Sequence, residues 1–397
     1  MGTETKKPIL TKDSFKSPED RGLAVIERTF EVITPVFGGG VRIDSKRSHE
    51  KPIDEVTPIR SAAVRGQLRF WWRATHGARC NSLEEMKARE DEIWGAAGEE
   101  TKTDRKPSAV LELRPPDQTP LITPVFVSQL LGGRARGIPY GTFPLQPARE
   151  QPRGTPPGKL SRVNGKWTLR VVVSASFEKE VEDAIKAWLC FGGIGGRCRR
   201  GFGALASSGT PSPQELFKSM AGGSLSGCPR LGTGANIRVH TKSFAAADEA
   251  LDFGLKLLKE FRQGEGTART KRARDSRCPG RSFWPEPDSI RQKMNARLPR
   301  HKDVLDQMIV FPRAAFGLPI IFHFKDEGKH RNDRFREPIQ TTLVPEGKER
   351  HASQLIIRPF KTDARYGVMS LVLAGEPSGA PGLTLKPNGS KEGFTVS

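Results

Sequence analysis

No C-x-x-C pair occurs in this chain. Its five cysteines, Cys80, Cys190, Cys198, Cys228 and Cys278, are dispersed and odd in number, so neither a zinc knuckle nor a disulfide framework is indicated. Carboxylates stand singly or in helix pairs, and no metal site or other cofactor is expected. No long apolar run is present. The opening MGTETKKPILTKDSFKSPEDRG lacks the apolar core of a signal peptide, so a soluble, cytoplasmic protein is expected. Negative charge is in short supply: 65 Lys and Arg face 45 Asp and Glu, a formal net charge of +20. Without an apolar anchor, that excess points to a polyanionic partner, nucleic acid before membrane. A hydrophobic fraction of 36% is low but adequate for packed cores between polar loops. The length of 397 residues suits two domains.

The most distinctive stretch is GGIGGRCRRGFGAL, Gly192 to Leu205. Two small-apolar-small triplets, Gly193-Ile194-Gly195 and Gly201-Phe202-Gly203, flank a basic insert carrying Arg197, Arg199 and Arg200. It is not a Walker loop, because no Gly-Lys-Ser/Thr follows. Nor is it a dinucleotide fingerprint, which must follow a strand and open a helix. Here Val181, Ile185, Trp188 and Leu189 recur at helical spacing just before it, so a helix precedes the loop. Exposed amides together with the three arginines would form a cradle for phosphates. A glycine-rich turn without a ligand is the alternative.

Around that loop the pattern alternates strands and helices. Ile26, Phe30, Val32, Thr34 and Val36 share one side of a first strand, and Glu27, Thr29 and Glu31 the other. A basic loop, RIDSKRSHEKP, follows Gly38–Gly40 and reads as solvated charge or as an RNA contact. The segment 61–76 is helical, with Val64, Leu68, Trp71, Trp72 and Thr75 on its core face. Arg65, Arg69 and Arg73 stack along an adjacent face, with Arg60 at the entrance. No acidic neighbour separates them in sequence, and bound phosphate would offset their repulsion. Ser82 opens a second helix with a capping-box spacing to Glu85, Glu85 and Arg89 form an i, i+4 pair, and Gly95 ends it. A short strand covers 108–113. Segment 114–165 reads as a loop-rich insertion in which Arg134 and Arg136 stand beside Tyr140. A strand at 168–177 leads into the helix 178–191. Strand, helix, strand, strand, helix, glycine loop and strand is the ferredoxin-like βαββαβ order. A Ser/Gly/Pro-rich shift near 206–236 marks a boundary. Beyond it come a strand at 236–244 and a helix at 245–261 buried through Leu251, Leu255 and Leu258. A basic run occupies 262–302, strands return at 320–324, 355–360 and 368–373, and the tail after Gly375 reads as loop.

The spacing G-h-G-x5-G-h-G resembles the glycine-rich loop of the RAMP superfamily, RNA-binding proteins of CRISPR effector complexes. TPIRSAAVRGQLRFWWRA (Thr57 to Ala74), FGLPIIF (Phe316 to Phe322) and ERHASQLIIRP (Glu349 to Pro359) are similar to the first RAMP subunit of type III-B, or Cmr, complexes. Ser353-Gln354 stands where that family has Ser-Pro. The resemblance implies an α+β fold of two tandem ferredoxin-like domains with long insertions. A mobile segment would cover 1–21, the first domain 22–210, a linker 211–235, and the second domain 236–397 with the 262–302 insertion. It also implies a non-catalytic subunit that sits near the 3′ end of a guide RNA and helps capture target RNA for antiviral defence. Its partners would be guide RNA, target RNA and other Cmr subunits. Matched positions, and hence expected RNA contacts, are Arg60, Arg65, Arg69 and Arg73 with Gly193, Gly195, Arg197, Arg199, Arg200, Gly201 and Gly203. The alternative is a metal-independent endoribonuclease, for which His49 and His76 would be the acid–base candidates.

Overall fold

The computed structural model describes residues 22–38, 55–96, 106–117, 119–145, 159–263, 284–294, 309–324, 337–375, 382–389 and 393–396. The first 21 residues, the loop bearing His49 and most of the basic run 262–302 lie outside the described residues.

The first sheet is antiparallel, in the order β2 (Val110–Arg114), β5 (Lys166–Ser174), β1 (Leu23–Val32), β6 (Leu205–Ala206). Period-2 alternation places Ile26 and Phe30 of β1 with Trp167, Leu169, Val171 and Val173 of β5 on one buried face. Helices α1 (Ser61–Ala74) and α4 (Glu178–Phe191) pack together there. Trp71, Trp72 and Trp188 are all but fully buried, and the Trp188 ring meets Phe30 edge-on at 5.3 Å between centroids. Each such tryptophan removes roughly 150–250 Å² from water, worth about 4–6 kcal/mol at about 25 cal/mol per Å². The 3.6-residue spacing of the apolar side chains explains why these two segments are helices. Helix α2 (Leu83–Trp94) begins as expected, with Ser82 accepting from the Glu85 amide, and ends at Gly95 with φ +83°. The Glu85–Arg89 pair does not form: Glu85 accepts from the backbone of Asn81, and Arg89 reaches across to Glu180 on α4.

Between these elements, β3 (Ile122–Val125) pairs with β4 (Leu160–Val163), and a single turn, α3 (Ile138–Gly141), interrupts the intervening loop.

The stretch read as a linker is built into the core. Ser212 and Glu215 form a reciprocal capping box at the start of α5 (Pro213–Met220), and Leu216, Met220, Cys228 and Leu231 are buried with α1 and α4. That same apolar cluster includes Ile356, Met369 and Leu371 from the C-terminal half. Those residues belong to a second sheet, in the order β10 (Leu355–Lys361), β11 (Tyr366–Val372), β7 (Asn236–Val239), covered by α6 (Ala247–Gln263). Leu251, Leu255 and Leu258 of α6 are buried as the periodicity requires. The remaining strands form a separate sheet, β13 (Phe394–Val396), β12 (Leu383–Pro387), β9 (Thr341–Pro345), β8 (Ile320–Phe322). Its apolar cluster includes Ile290 of α7 (Glu286–Lys293). The tail after Gly375 is therefore strand in part: LTLKP alternates, but it is short and sits among Gly and Pro.

Candidate nucleic-acid interface

The glycine loop is shaped by one buried cation that the sequence reading did not single out. Arg358 of β10 is fully buried and has no carboxylate partner among the described residues. Its guanidinium donates to the carbonyl oxygens of Leu189, Gly192, Leu205 and Pro359, at 2.7 Å for Gly192 and for Leu205. Leu189 and Gly192 close the C-terminal end of α4, where the helix dipole presents negative charge. Burial pushes the Arg358 pKa down to about 10, so it remains a cation at neutral pH. The residue thus fastens the second sheet to both ends of the loop.

Within the loop the backbone turns inward. The amides of Ile194, Gly196 and Gly203 donate to the carbonyls of Gly203, Phe37 and Pro35, and those of Arg200 and Gly201 close the short turn beginning at Arg197. Of the four glycines expected at a phosphate cradle, Gly201 and Gly203 thus spend their amides on carbonyls of the protein. Their missing Cβ atoms allow close approach instead: a Cβ on Gly203, at φ +63°, would be driven into the Ile194 carbonyl. The charge is carried by side chains. Arg197, itself left-handed at φ 56°, lies over the Phe37 ring at 5.3 Å. Arg199 lies over Phe70 at 5.3 Å and donates to the Ser353 carbonyl at 2.5 Å. Arg200 donates to the Leu355 carbonyl at 3.3 Å.

These three arginines line a cleft of about 930 Å³ between the two halves of the chain. Arg262 of α6, Arg350 and His351 join them, with Phe70, Tyr140, Phe143, Phe191 and Phe316 as the aromatic part of the wall. No Asp or Glu lines it among the described residues. Burial, with Arg262 adding repulsion, lowers the Arg200 pKa to about 10. Burial alone lowers Arg197 and Arg199. A group of guanidiniums held without anions is stabilised by a ligand that brings them.

The stripe on α1 is arranged differently. Arg69 bonds Glu90 at 2.6 Å and lies 3.7 Å from Asp91, and Arg73 lies 3.5 Å from Glu90. Glu90 is buried, so the acidic neighbours missing from the local sequence come from α2, and both arginines tie the two helices together. Arg65 is half-buried, with Nε desolvated and unpartnered, and Arg60 is exposed at the N-cap position. The side of α1 that meets the cleft carries Gln67, Phe70 and Trp71. His76 is bound to Asp183 at 2.9 Å, and Lys179 holds the same carboxylate at 2.7 Å. The outer face of the first sheet is a poor match for RNA. Val110, Val172 and Val25 run across it in register, followed by Glu112, Arg170 and Glu27. Of the residues expected to meet RNA, the cleft gathers Arg197, Arg199 and Arg200 with Gly195 at their edge. Arg262, Arg350, Tyr140 and Phe143 join them from distant positions. Tyr140 beside basic residues was a usable signal, but Arg134 and Arg136 are not in the cleft.

The fold and site define an α+β protein with a cationic, partly aromatic cleft suited to a phosphate backbone. Residues 29–206 match the family model of the RAMP superfamily. Among solved structures the chain is similar to Cmr1 from Pyrococcus furiosus in its apo form, with 14% identity, 94% of each chain covered and a TM-score of 0.48. It is also similar to a chain in the type III-B Cmr-β complex bound to cognate target RNA, with 10% identity, 89% of this chain and 95% of that one covered, and a TM-score of 0.44. Cmr6 from Pyrococcus furiosus aligns at 12% identity over 47% of this chain and 98% of its own, with a TM-score of 0.23. None of the curated proteins matches.

Proposed function

We propose that the protein is a non-catalytic RNA-binding subunit of a type III-B CRISPR effector. In this reading it lies near the 3′ end of the guide RNA, beside other Cmr subunits, and helps capture target RNA for antiviral defence. The observation that carries the RNA-binding part is the cleft: five arginines and no carboxylate among its described lining residues. The superfamily match over 29–206 and the R-G-x-L-R-F-W-W-R string support the assignment to the effector. The strand order β2-β5-β1-β6, with α1 and α4 on one face, supports a ferredoxin-like first unit. The C-terminal half, with its two sheets, reads as a modified second copy.

Affinity for single-stranded RNA should fall with salt at a slope of roughly −0.7 per neutralised phosphate, so about −2 to −3.5 for three to five contacts. Unrelated sequences should compete equally. Binding that ignores salt, or that survives Arg199→Ala with Arg200→Ala at an unchanged slope, would remove the cleft from RNA binding. One observation favours the second reading, RNA cleavage without metal: His351 lines the arginine cleft, although no lysine or carboxylate accompanies it there among the described residues. Guide and target RNA should stay intact with the purified protein, and cleavage abolished by His351→Ala would establish the nuclease instead.

A further inference from the structure

One carboxylate fixes the loop 130–145 onto the C-terminal half. Asp252 of α6 accepts from the amides of Arg136, Gly137 and Ile138, with Oδ1 at 2.8, 2.7 and 2.8 Å. Gly137 sits so close that a Cβ would strike the Asp252 carbonyl and the Lys256 amide. Leu130, Ile138 and Leu145 then bury themselves with Phe202, Leu251 and Leu255. This anchoring leaves an exposed pair, Phe143 and Pro144, between two buried positions. Phe143 is 70% exposed, whereas Thr142 and Leu145 are 2% and 6% exposed. A solvent-facing phenylalanine on anchored backbone gains nothing from the core, and such rings commonly mark contact sites. Phe143 shares its cleft with Tyr140 and with Arg197, Arg199 and Arg200.

We propose that Phe143, with Tyr140 beside it, is a stacking platform for an unpaired base whose flanking phosphates lie against Arg197, Arg199 and Arg200. The proposal rests on the RNA-binding reading above and adds a selectivity to it. Inside a duplex both faces of a base are covered by neighbours, so only a splayed or single-stranded nucleotide can use an aromatic ring. The cleft volume of about 930 Å³ suits one or a few small-molecule-sized units. The protein should therefore prefer single-stranded RNA to duplex by more than charge density explains, without reading sequence, because every base has a stacking face.

The test uses the full-length protein with a single-stranded RNA containing 2-aminopurine and a blunt duplex of the same length. Phe143→Ala should weaken single-strand binding by about 5- to 150-fold, the range for loss of one base–aromatic stack. Quenching of the 2-aminopurine should be lost, with an unchanged salt slope and an unchanged melting temperature. Phe143→Tyr should retain affinity and quenching, and duplex binding should be the same for wild type and Phe143→Ala. Wild-type affinity and quenching in Phe143→Ala would overturn the platform while leaving the arginine cleft intact. If Arg199→Ala with Arg200→Ala also binds RNA normally at an unchanged slope, the RNA-binding reading itself fails. Should Phe143→Ala bind RNA normally but lose another subunit of the complex, the ring is a protein contact and the proposal is overturned.

Discussion

A guanidinium shut away from water must be satisfied by whatever oxygens surround it, and Arg358 relies wholly on carbonyls. Arg358→Met removes the charge but leaves those oxygens desolvated, so it should destabilise the protein by about 3–5 kcal/mol. Arg358→Lys should recover only part, because a single ammonium cannot match the planar fork. Urea midpoints of the three proteins measure this, and a Met variant as stable as wild type would show that the residue fastens nothing. Arg197 gives the opposite case. At φ 56° a side chain is strained, so Arg197→Gly should hold stability within about 1 kcal/mol of wild type. The same change should weaken RNA binding and lower the salt slope by about 0.7. Loss of fold without change in affinity would assign Arg197 to the scaffold.

The packing of α2 against α1, and the contacts of both with α4, show how element packing selects among arginines. Arg69→Ala leaves Glu90 buried with only the 3.5 Å contact to Arg73, which should cost about 2–3 kcal/mol with little effect on RNA affinity. Arg199→Ala should do the reverse, and melting curves beside RNA titrations separate the two. The α2–α4 contact also sets an acid limit. Burial opposes ionisation of Glu180, but hydrogen bonds from Arg89 and Trp72 outweigh it and hold the carboxyl below its usual range. Burial likewise opposes ionisation of Asp183, and bonds from His76 and Lys179 outweigh it. A carboxyl with a lowered folded pKa stabilises the fold above its unfolded value, about 4, and loses that contribution as pH falls through the folded value. Stability measured by urea midpoint should therefore be level above pH 5 and decline as pH drops below about 4. In Glu180→Gln the decline should be shallower, and an equal slope would remove Glu180 from the acid response.

At the scale of the whole molecule, one core joins the halves. Because Ile356, Met369 and Leu371 are buried with α1, α4 and α5, the first sheet and β10–β11 should open together. Hydrogen exchange checks this: amides of β10 and β11 should be protected to the same free energy as those of β1 and β5. Earlier exchange in β10 and β11 would make the two halves independent. The separate cluster of Ile290, Leu343 and Leu385 allows β8, β9, β12 and β13 to exchange at lower free energy. In such an architecture the cleft exists only while both halves stay docked, and Arg358 and Asp252 are among the polar groups that hold its two walls.

The sequence by itself determined what depends on near neighbours. The heptad-like spacing of Val64, Leu68, Trp71 and Trp72, the alternation through β1 and β5, the cap at Ser82 and the glycine loop were all legible, because periods of 3.6 and 2 are encoded within one segment. So was the excess of positive charge. The cap of α5 was equally local, written in Ser212 and Glu215, but the surrounding Ser, Gly and Pro obscured it. Only the tertiary structure decided which cations would be neutralised. Arg69 and Arg73 find Glu90 and Asp91 on the next helix, whereas Arg197, Arg199 and Arg200 are left with carbonyls and rings. Arg262, Arg350, Tyr140 and Phe143 reach the same cleft from segments far apart in the chain. Any of the many carboxylates could have paired with any arginine, and sequence separation says nothing about which pairs the packed core brings within about 4 Å, where Coulomb energy becomes decisive.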